Sequence, residues 1–341
     1  MSNAVAHDSR VLKTARSLAG AGYEVTVVGA GPPAAWHDEG GFDVRVVAPR
    51  FGRDPWPREL RRLAPDVLHV NDTEPIALAA KTGLPWVFDA HEDPFASKRS
   101  DHEAIRRDVA SAAATITVSA ALADRMRGEL GIDPVLVHNA PSLAYGPAPV
   151  PGLRERIGAD GPLVVYAGTL TTRRRLTVVV EALAHLPDVQ LALVVPEEHK
   201  RLPPVLERAR EVGVDDRVHV TGLVPPDAVV PFVAEADVGV HPLERYGNGD
   251  IALPNKLFEY LHAGLPMVVS DTPAMAGFVR EHDLGAVAPV DDVEAWVDAL
   301  RSQLAAPRLD VRPGWSALRE AWSWDAQAAR LLAVYSAITA R

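Results

Sequence analysis

Cysteine is absent from the 341 residues, which excludes disulfides, a thiolate nucleophile and thiolate zinc sites. No apolar run approaches the roughly 20 residues that a membrane-spanning helix needs. Positive charge is in deficit: 35 Lys and Arg against 45 Asp and Glu give a formal net charge of −10. That balance disfavours nucleic acid as the main partner, yet it leaves room for a local basic pocket holding a small anion. The opening residues lack the charged and apolar regions of a secretory signal, so the cytoplasm is the expected location. What is present is a globular composition, 48% hydrophobic and 23% charged, in a chain longer than one ordinary core organises. Two domains are expected.

Short β-branched runs alternate with helical patterns along the chain. "YEVTVVG", "FDVRVVA", "PDVLHVND", "LPWVFDA", "ATITVS" and "PVLVHN" predict the strands of one parallel α/β domain, residues 1–143. "PLVVYAG", "VQLALVV", "RVHVTG", "DVGVHPL", "PMVVSD" and "GAVAPV" predict those of a second, residues 150–322. Between them, "APSLAYGPAPVPG" has the proline and glycine density of a linker, and a cleft between two such sheets is the expected ligand site. A final helix, from about 324 to 341, has Ser323 as its N-cap candidate and can pack back on either domain.

The chain opens on a helix, "HDSRVLKTARSLAGAGY". Asp8 suits the N-cap, Val11, Leu12, Ala15, Leu18 and Ala19 share a face, and Gly20 or Gly22 suits the end. A doubly wound domain normally places a strand before that helix, and only "MSNAVA" precedes it. The first strand of the N-terminal domain is missing. Its place would be between the strands near Val25 and Val67, which suggests a true start upstream of Met1.

In "ALPNKLFEYLHAGLPMVVSD", Pro254 suits the first helical position and Gly264 the residue past the end, predicting a helix over 254–263. Leu257, Phe258 and Leu261 mark its buried face, and "MVV" beyond Pro266 reads as a buried strand. Such a helix starts at the carboxyl edge of a parallel sheet, where free N–H groups can hold an anion and Lys256 would add a full charge. Phosphate is the first candidate. Lys256 and Glu259 can equally form an ordinary i, i+3 pair on an exposed helix face, and Arg173, Arg174 and Arg175 a solvated run.

"DSRVLKTARSLAGAGYEVTVV", "FDAHE", "YAGTLTTRRRLTVVVEAL" and "LPNKLFEYLHAGLPMVVSD", in this order, resemble the retaining nucleotide-sugar glycosyltransferases of the family 4 group. The resemblance covers nearly the whole chain and implies the GT-B architecture, two Rossmann-like domains with parallel sheets. It implies a soluble, metal-independent enzyme without a cofactor, whose donor substrate is a nucleoside-diphosphate sugar and whose acceptor is a small molecule or a lipid-linked one. By motif position, Arg174 and Lys256 meet the donor diphosphate, Glu259 holds the ribose hydroxyls, and His91 contacts the transferred sugar. Gly168, Thr169, Leu223, Asp250, Ile251 and Leu253 complete the donor-binding set. His91, Arg174 and Lys256 are the catalytic candidates. No side chain is placed as a covalent nucleophile, which points to front-face displacement with the departing phosphate as the base.

One departure concerns position 251, where the family has a glutamate and this chain has isoleucine; Asp250 is adjacent but out of register. Backbone N–H groups of residues 251–253 are the expected substitute. Asp89, His91, Glu92 and Asp93 offer oxygen-rich ligands, but arginine and lysine can supply the charge that a metal would. "VVGAGPPA" lacks the third glycine of a dinucleotide fingerprint and reads as a turn. Trp36 and Trp56, placed in loops of the first domain, are candidates for stacking on an acceptor, with packing as their other role. "PRELRRLA" could support weak membrane association or simply be a solvated face. A sugar-nucleotide epimerase and a non-catalytic sugar-nucleotide binder or assembly partner are the alternative functions on this scaffold.

Overall fold

The computed structural model describes residues 8–31, 34–48, 56–71, 73–96 and 101–340. The chain forms two compact units, Met1–Asn139 together with Trp324–Arg341, and Ala140–Ser323.

The strands of the first unit are β1 (Thr26–Ala30), β2 (Ala34–Asp38), β3 (Phe42–Val47), β4 (Leu68–Asn71), β5 (Trp86–Ala90), β6 (Ala114–Thr117) and β7 (Val135–Leu136). Six are the β-branched runs predicted above. The seventh, β2, pairs antiparallel with β3 as the sheet edge, so this unit is not purely parallel. Trp36 therefore lies on a strand and Trp56 opens the helix Trp56–Leu63; neither sits in a loop. β1 and β2 occupy the stretch read as a turn, with Pro32 and Pro33 outside the described residues.

Among the described residues these strands form two separate sheets, ordered β1-β3-β2 and β4-β5-β6-β7. The break falls between β1 and β4, where the reading from sequence leaves a strand out; residues 1–7 lie outside the described residues. The helix Ser9–Gly20 spans the break. Asp8 caps it as expected, its carboxylate accepting from Arg10 and Val11 N–H at 3.1 Å each. Val11 and Ala15 pack with Val27, Phe42 and Val44. Leu18 joins Val87 and Ile116 of the other sheet and Val137 just past β7, together with Trp324, Leu331, Val334 and Tyr335 of the terminal helix Trp324–Thr339. The tail thus packs on the first unit. Ser323 directs its hydroxyl to the Glu320 carbonyl at 2.7 Å.

An ion pair lies in this core. Arg10 Nε and Nη2 donate to the two oxygens of Asp89 at 2.8 and 2.7 Å, and Nη1 donates to Val137 O at 2.9 Å. Asp89 Oδ2 also accepts from His69 Nε2 at 3.3 Å, while His69 Nδ1 shares a hydrogen bond with Tyr335 Oη. Burial alone would raise the Asp89 carboxyl, but Arg10 and His69 outweigh it and hold it well below the usual carboxylate range.

His138 is buried beside this pair, its Nδ1 bonded to Val118 O at 2.7 Å. Burial, with Arg330 and Arg10 nearby, lowers its pKa to about 4 from the ordinary 6.5. Below pH 6.5 the unfolded chain therefore binds a proton that the native state refuses. His138 stabilises the fold above pH 6.5, and that contribution is lost as the pH falls toward 4, by about 1.4 kcal/mol per pH unit. Urea titrations at pH 7.5 and 5.0 should show a slope that His138→Gln flattens; an unchanged slope would remove His138 as its source.

The second unit carries β8 (Leu163–Ala167), β9 (Gln190–Val194), β10 (Val218–Val220), β11 (Val238–His241), β12 (Met267–Ser270) and β13 (Gly285–Ala288). They form one parallel sheet, ordered β10-β9-β8-β11-β12-β13. Along β8, Leu163, Val165 and Ala167 enter one apolar cluster, and Val164 and Tyr166 enter another. Both faces are covered, which is why these strands read as continuous apolar runs. Residues 140–152 are packed on this unit and are no free linker: Ala140 is in its core, Tyr145 Oη bonds His262 Nδ1 at 2.8 Å, and Gly146 N–H donates to Asp227 O.

Candidate functional site

From β8 the chain winds outward through β9 to β10, then returns to β8's other side and winds through β11, β12 and β13. The order reverses between β8 and β11, and in such sheets the crevice beyond the carboxyl ends at the reversal is where ligands bind.

At that crevice one hydroxyl stands between the two strands. β8 and β11 pair only at Val164–Val238 and Val165–Gly239. Just beyond, Tyr260 Oη accepts from Ala167 N–H at 3.2 Å and lies 3.3 Å from Val165 O and 3.2 Å from Val240 O, to which it can donate. Tyr260 thus supplies the hydrogen bonds that the parting strands no longer give each other. Gly239 makes room for it, since a Cβ there would lie 2.5 Å from the ring.

Tyr260 belongs to the helix Asn255–His262, which runs from the loop after β11 to β12 and therefore begins on the crevice side. Pro254 is its N-cap rather than its first helical residue, with ψ of 145°. Its first-turn N–H groups and positive dipole end lie beside Lys256. The Lys256 stem crosses Gly168, where a Cβ would come 3.0 Å from Cε and where φ is +136°, so a larger residue is both crowded and strained. Lys256 Nζ meets Glu259 Oε2 at 2.7 Å, with the side chains only 21% and 13% exposed. The i, i+3 pair of the sequence reading is real, but it faces the crevice and is largely out of solvent.

The three arginines diverge. Arg173 lies over the Tyr246 ring and 3.5 Å from Glu244, and Arg175 pairs with Asp291 at 2.9 Å. Only Arg174 turns inward, its Nη1 meeting His241 Nε2 at 2.5 Å. Its backbone bridges to Leu243, and Arg175 N–H donates to Pro242 O, so the loops after β8 and β11 are laced together. Ser270, ending β12, clasps the same loop: its Oγ accepts from Leu243 N–H and donates to Leu243 O.

Arg174, Lys256, Glu259 and Gly168 thus meet at one crevice. Thr169 is adjacent, its carbonyl accepting from Tyr166 Oη at 2.9 Å. Asp250 is committed to Arg245 at 3.3 Å, Ile251 ends the short helix Gly247–Ile251, and Leu253 packs against the core. Leu223, on the loop after β10, is 61% exposed. His91 follows β5 in the first unit. Of the carboxylates near it, Asp89 is taken by Arg10, and Asp93 accepts from Arg125 Nε and Phe95 N–H at 2.9 Å each. Sequence reasoning missed His241 and Tyr166, whose rings stack with centroids 6.1 Å apart, and the role of Tyr260. A lone titratable residue ending the apolar run "DVGVH" was the available signal.

Residues 9–145 match the family model for Glycosyltransferase Family 4, and residues 161–306 match that for Glycosyl transferases group 1. Each half of the chain thus resembles a glycosyltransferase family model, and together the two matches span most of its length. Among curated relatives, a D-inositol 3-phosphate glycosyltransferase from Xylanimonas cellulosilytica is 31% identical over 196 residues, 55% of this chain and 46% of that protein. The chain thus spans about half the length of the curated relatives it matches. Solved structures share its fold. Sucrose-phosphate synthase from Thermosynechococcus elongatus superposes with a TM-score of 0.75 at 19% identity, covering 97% of this chain and 93% of that one. HepE from Anabaena, in complex with UDP-glucose, gives 0.70 at 17% identity over 86% of each. The architecture is GT-B.

Proposed function

We propose that the protein is a retaining glycosyltransferase that moves a sugar from a nucleoside-diphosphate sugar to a small-molecule or lipid-linked acceptor. The observation that carries this reading is the convergence of Arg174, Lys256 and the start of the Asn255 helix at the switch point of the second sheet. A leaving diphosphate gains negative charge as the glycosidic bond breaks, and fixed cations with aligned N–H groups stabilise that charge selectively in the transition state. Glu259, one turn into the helix, is the acceptor for sugar hydroxyls once Lys256 turns to phosphate. The course that fits this reading is front-face displacement, with the departing phosphate taking the acceptor's proton.

The family-model matches and the UDP-glucose complex of HepE make UDP the first probe. A thermal-shift series over nucleoside diphosphates, then sugar nucleotides, should raise the melting temperature by a few degrees at ligand concentrations about 100 times Kd. No stabilisation by any nucleoside diphosphate would defeat the reading.

A further inference from the structure

We propose that His241 is a positioning residue that holds the Arg174 guanidinium at the crevice through a neutral imidazole, leaving the arginine's full charge for a diphosphate. The inference rests on the functional reading above and concerns how its key cation is aimed.

The hydrogen bond itself defines the state of the ring. A guanidinium has donors only, so at 2.5 Å from Arg174 Nη1 the His241 Nε2 must present its lone pair, and the ring proton sits on Nδ1. His241 is 1% exposed at the end of β11, and the Tyr166 ring stacked against it at an interplanar angle of 22° fixes its plane. Burial, with Arg174 and then Lys256 close by, pushes its pKa well below the ordinary value, so protonation does not compete with the contact. An aspartate or glutamate would hold the guanidinium as firmly but would cancel its charge. Lys256 has such a counter-ion in Glu259; Arg174 has an uncharged acceptor instead.

Two further atoms point the same way. Arg174 Nε and His241 Nδ1 are buried, and neither has a hydrogen-bond partner among the described residues. A histidine placed for stability alone would not leave both donors unmet. Held at Nη1, the guanidinium still has other N–H donors to offer, and the charge-assisted bond to phosphate is the kind that arginine makes best.

The test is calorimetric titration of UDP, and of inorganic pyrophosphate as a base-independent probe, into the full chain. His241→Phe keeps a stacking ring and removes the acceptor; it should weaken both ligands by roughly tenfold or more. His241→Gln, whose amide oxygen reaches the position of Nε2, should restore binding to within about threefold of the parent. In an Arg174→Ala background, His241→Phe should cost nothing further, an outcome that a general structural role would not produce. Should His241→Phe fail to fold, His241→Asn, polar but too short, replaces it with the same loss expected. Full binding in the Phe or Asn variant, or additive losses with Arg174→Ala, would overturn the inference while leaving the site intact. Unchanged binding in Arg174→Ala, or no binding by the parent, would instead overturn the functional reading and the inference with it.

Discussion

Arg174→Ala is expected to lower sugar-transfer turnover by on the order of 10²–10³, the loss seen when one preorganised stabiliser of developing charge is removed. The side chain is held inward at Nη1, and its loop is laced by backbone bonds to the loop after β11, so little rearranges when the ligand arrives. Because the stabilised charge develops as the bond breaks, the loss should fall on kcat as well as on donor affinity. Lys256→Ala should act in the same direction and with similar size. It also strips Glu259 of its counter-ion, placing an uncompensated carboxylate beside the donor phosphates, so Lys256→Ala/Glu259→Gln should recover part of the binding loss. Release of nucleoside diphosphate at saturating donor is the measurement. Turnover within twofold of the parent in either single variant would exclude that residue from the mechanism.

Asp89→Asn is expected to destabilise the first unit by about 3–5 kcal/mol, since it leaves the Arg10 guanidinium buried without its charge partner. In a unit of this size that corresponds to a fall of roughly 10 °C in its thermal transition. Removing both charges in Arg10→Met/Asp89→Leu should cost far less, because the penalty lies in isolating one ion. The pH dependence has a definite sign. The native carboxyl is held below its ordinary 3.8, so its contribution is complete above that value and is lost only as the pH falls through the lowered native pKa. Urea denaturation of the three proteins at neutral pH decides it; a loss under about 1 kcal/mol for Asp89→Asn would show that the pair is not isolated from water.

These two expectations were unequally legible. The Lys256 helix and the arginine loop are local patterns, and local chemistry reads well: proline, glycine and apolar spacing marked the helix to within one residue at its start. Which of three adjacent arginines turns inward was first implied only by family resemblance, and the structure gives the physical reason, since Glu244 and Asp291 draw the other two outward. Arg10 drew no attention in the opening helix because its partner lies 79 residues away, beyond any periodicity argument. β2 escaped notice because "AAWHD" has no β-branched residue and is almost wholly exposed; its strand state comes from pairing with β3. Tyr260 was not among the residues assigned to the buried helix face, and nothing in its neighbours announces a hydroxyl shared by two strands.

The contact between Lys256 and Glu259 has a bearing on selectivity. The lysine is already occupied by an internal carboxylate, so a stray monovalent anion such as acetate or chloride offers it nothing better. A diphosphate brings several oxygens at once and can engage Arg174 and the helix start together. Lys256 is thereby kept quiet toward small ions, and its charge is released only to a ligand with charge enough to part it from Glu259.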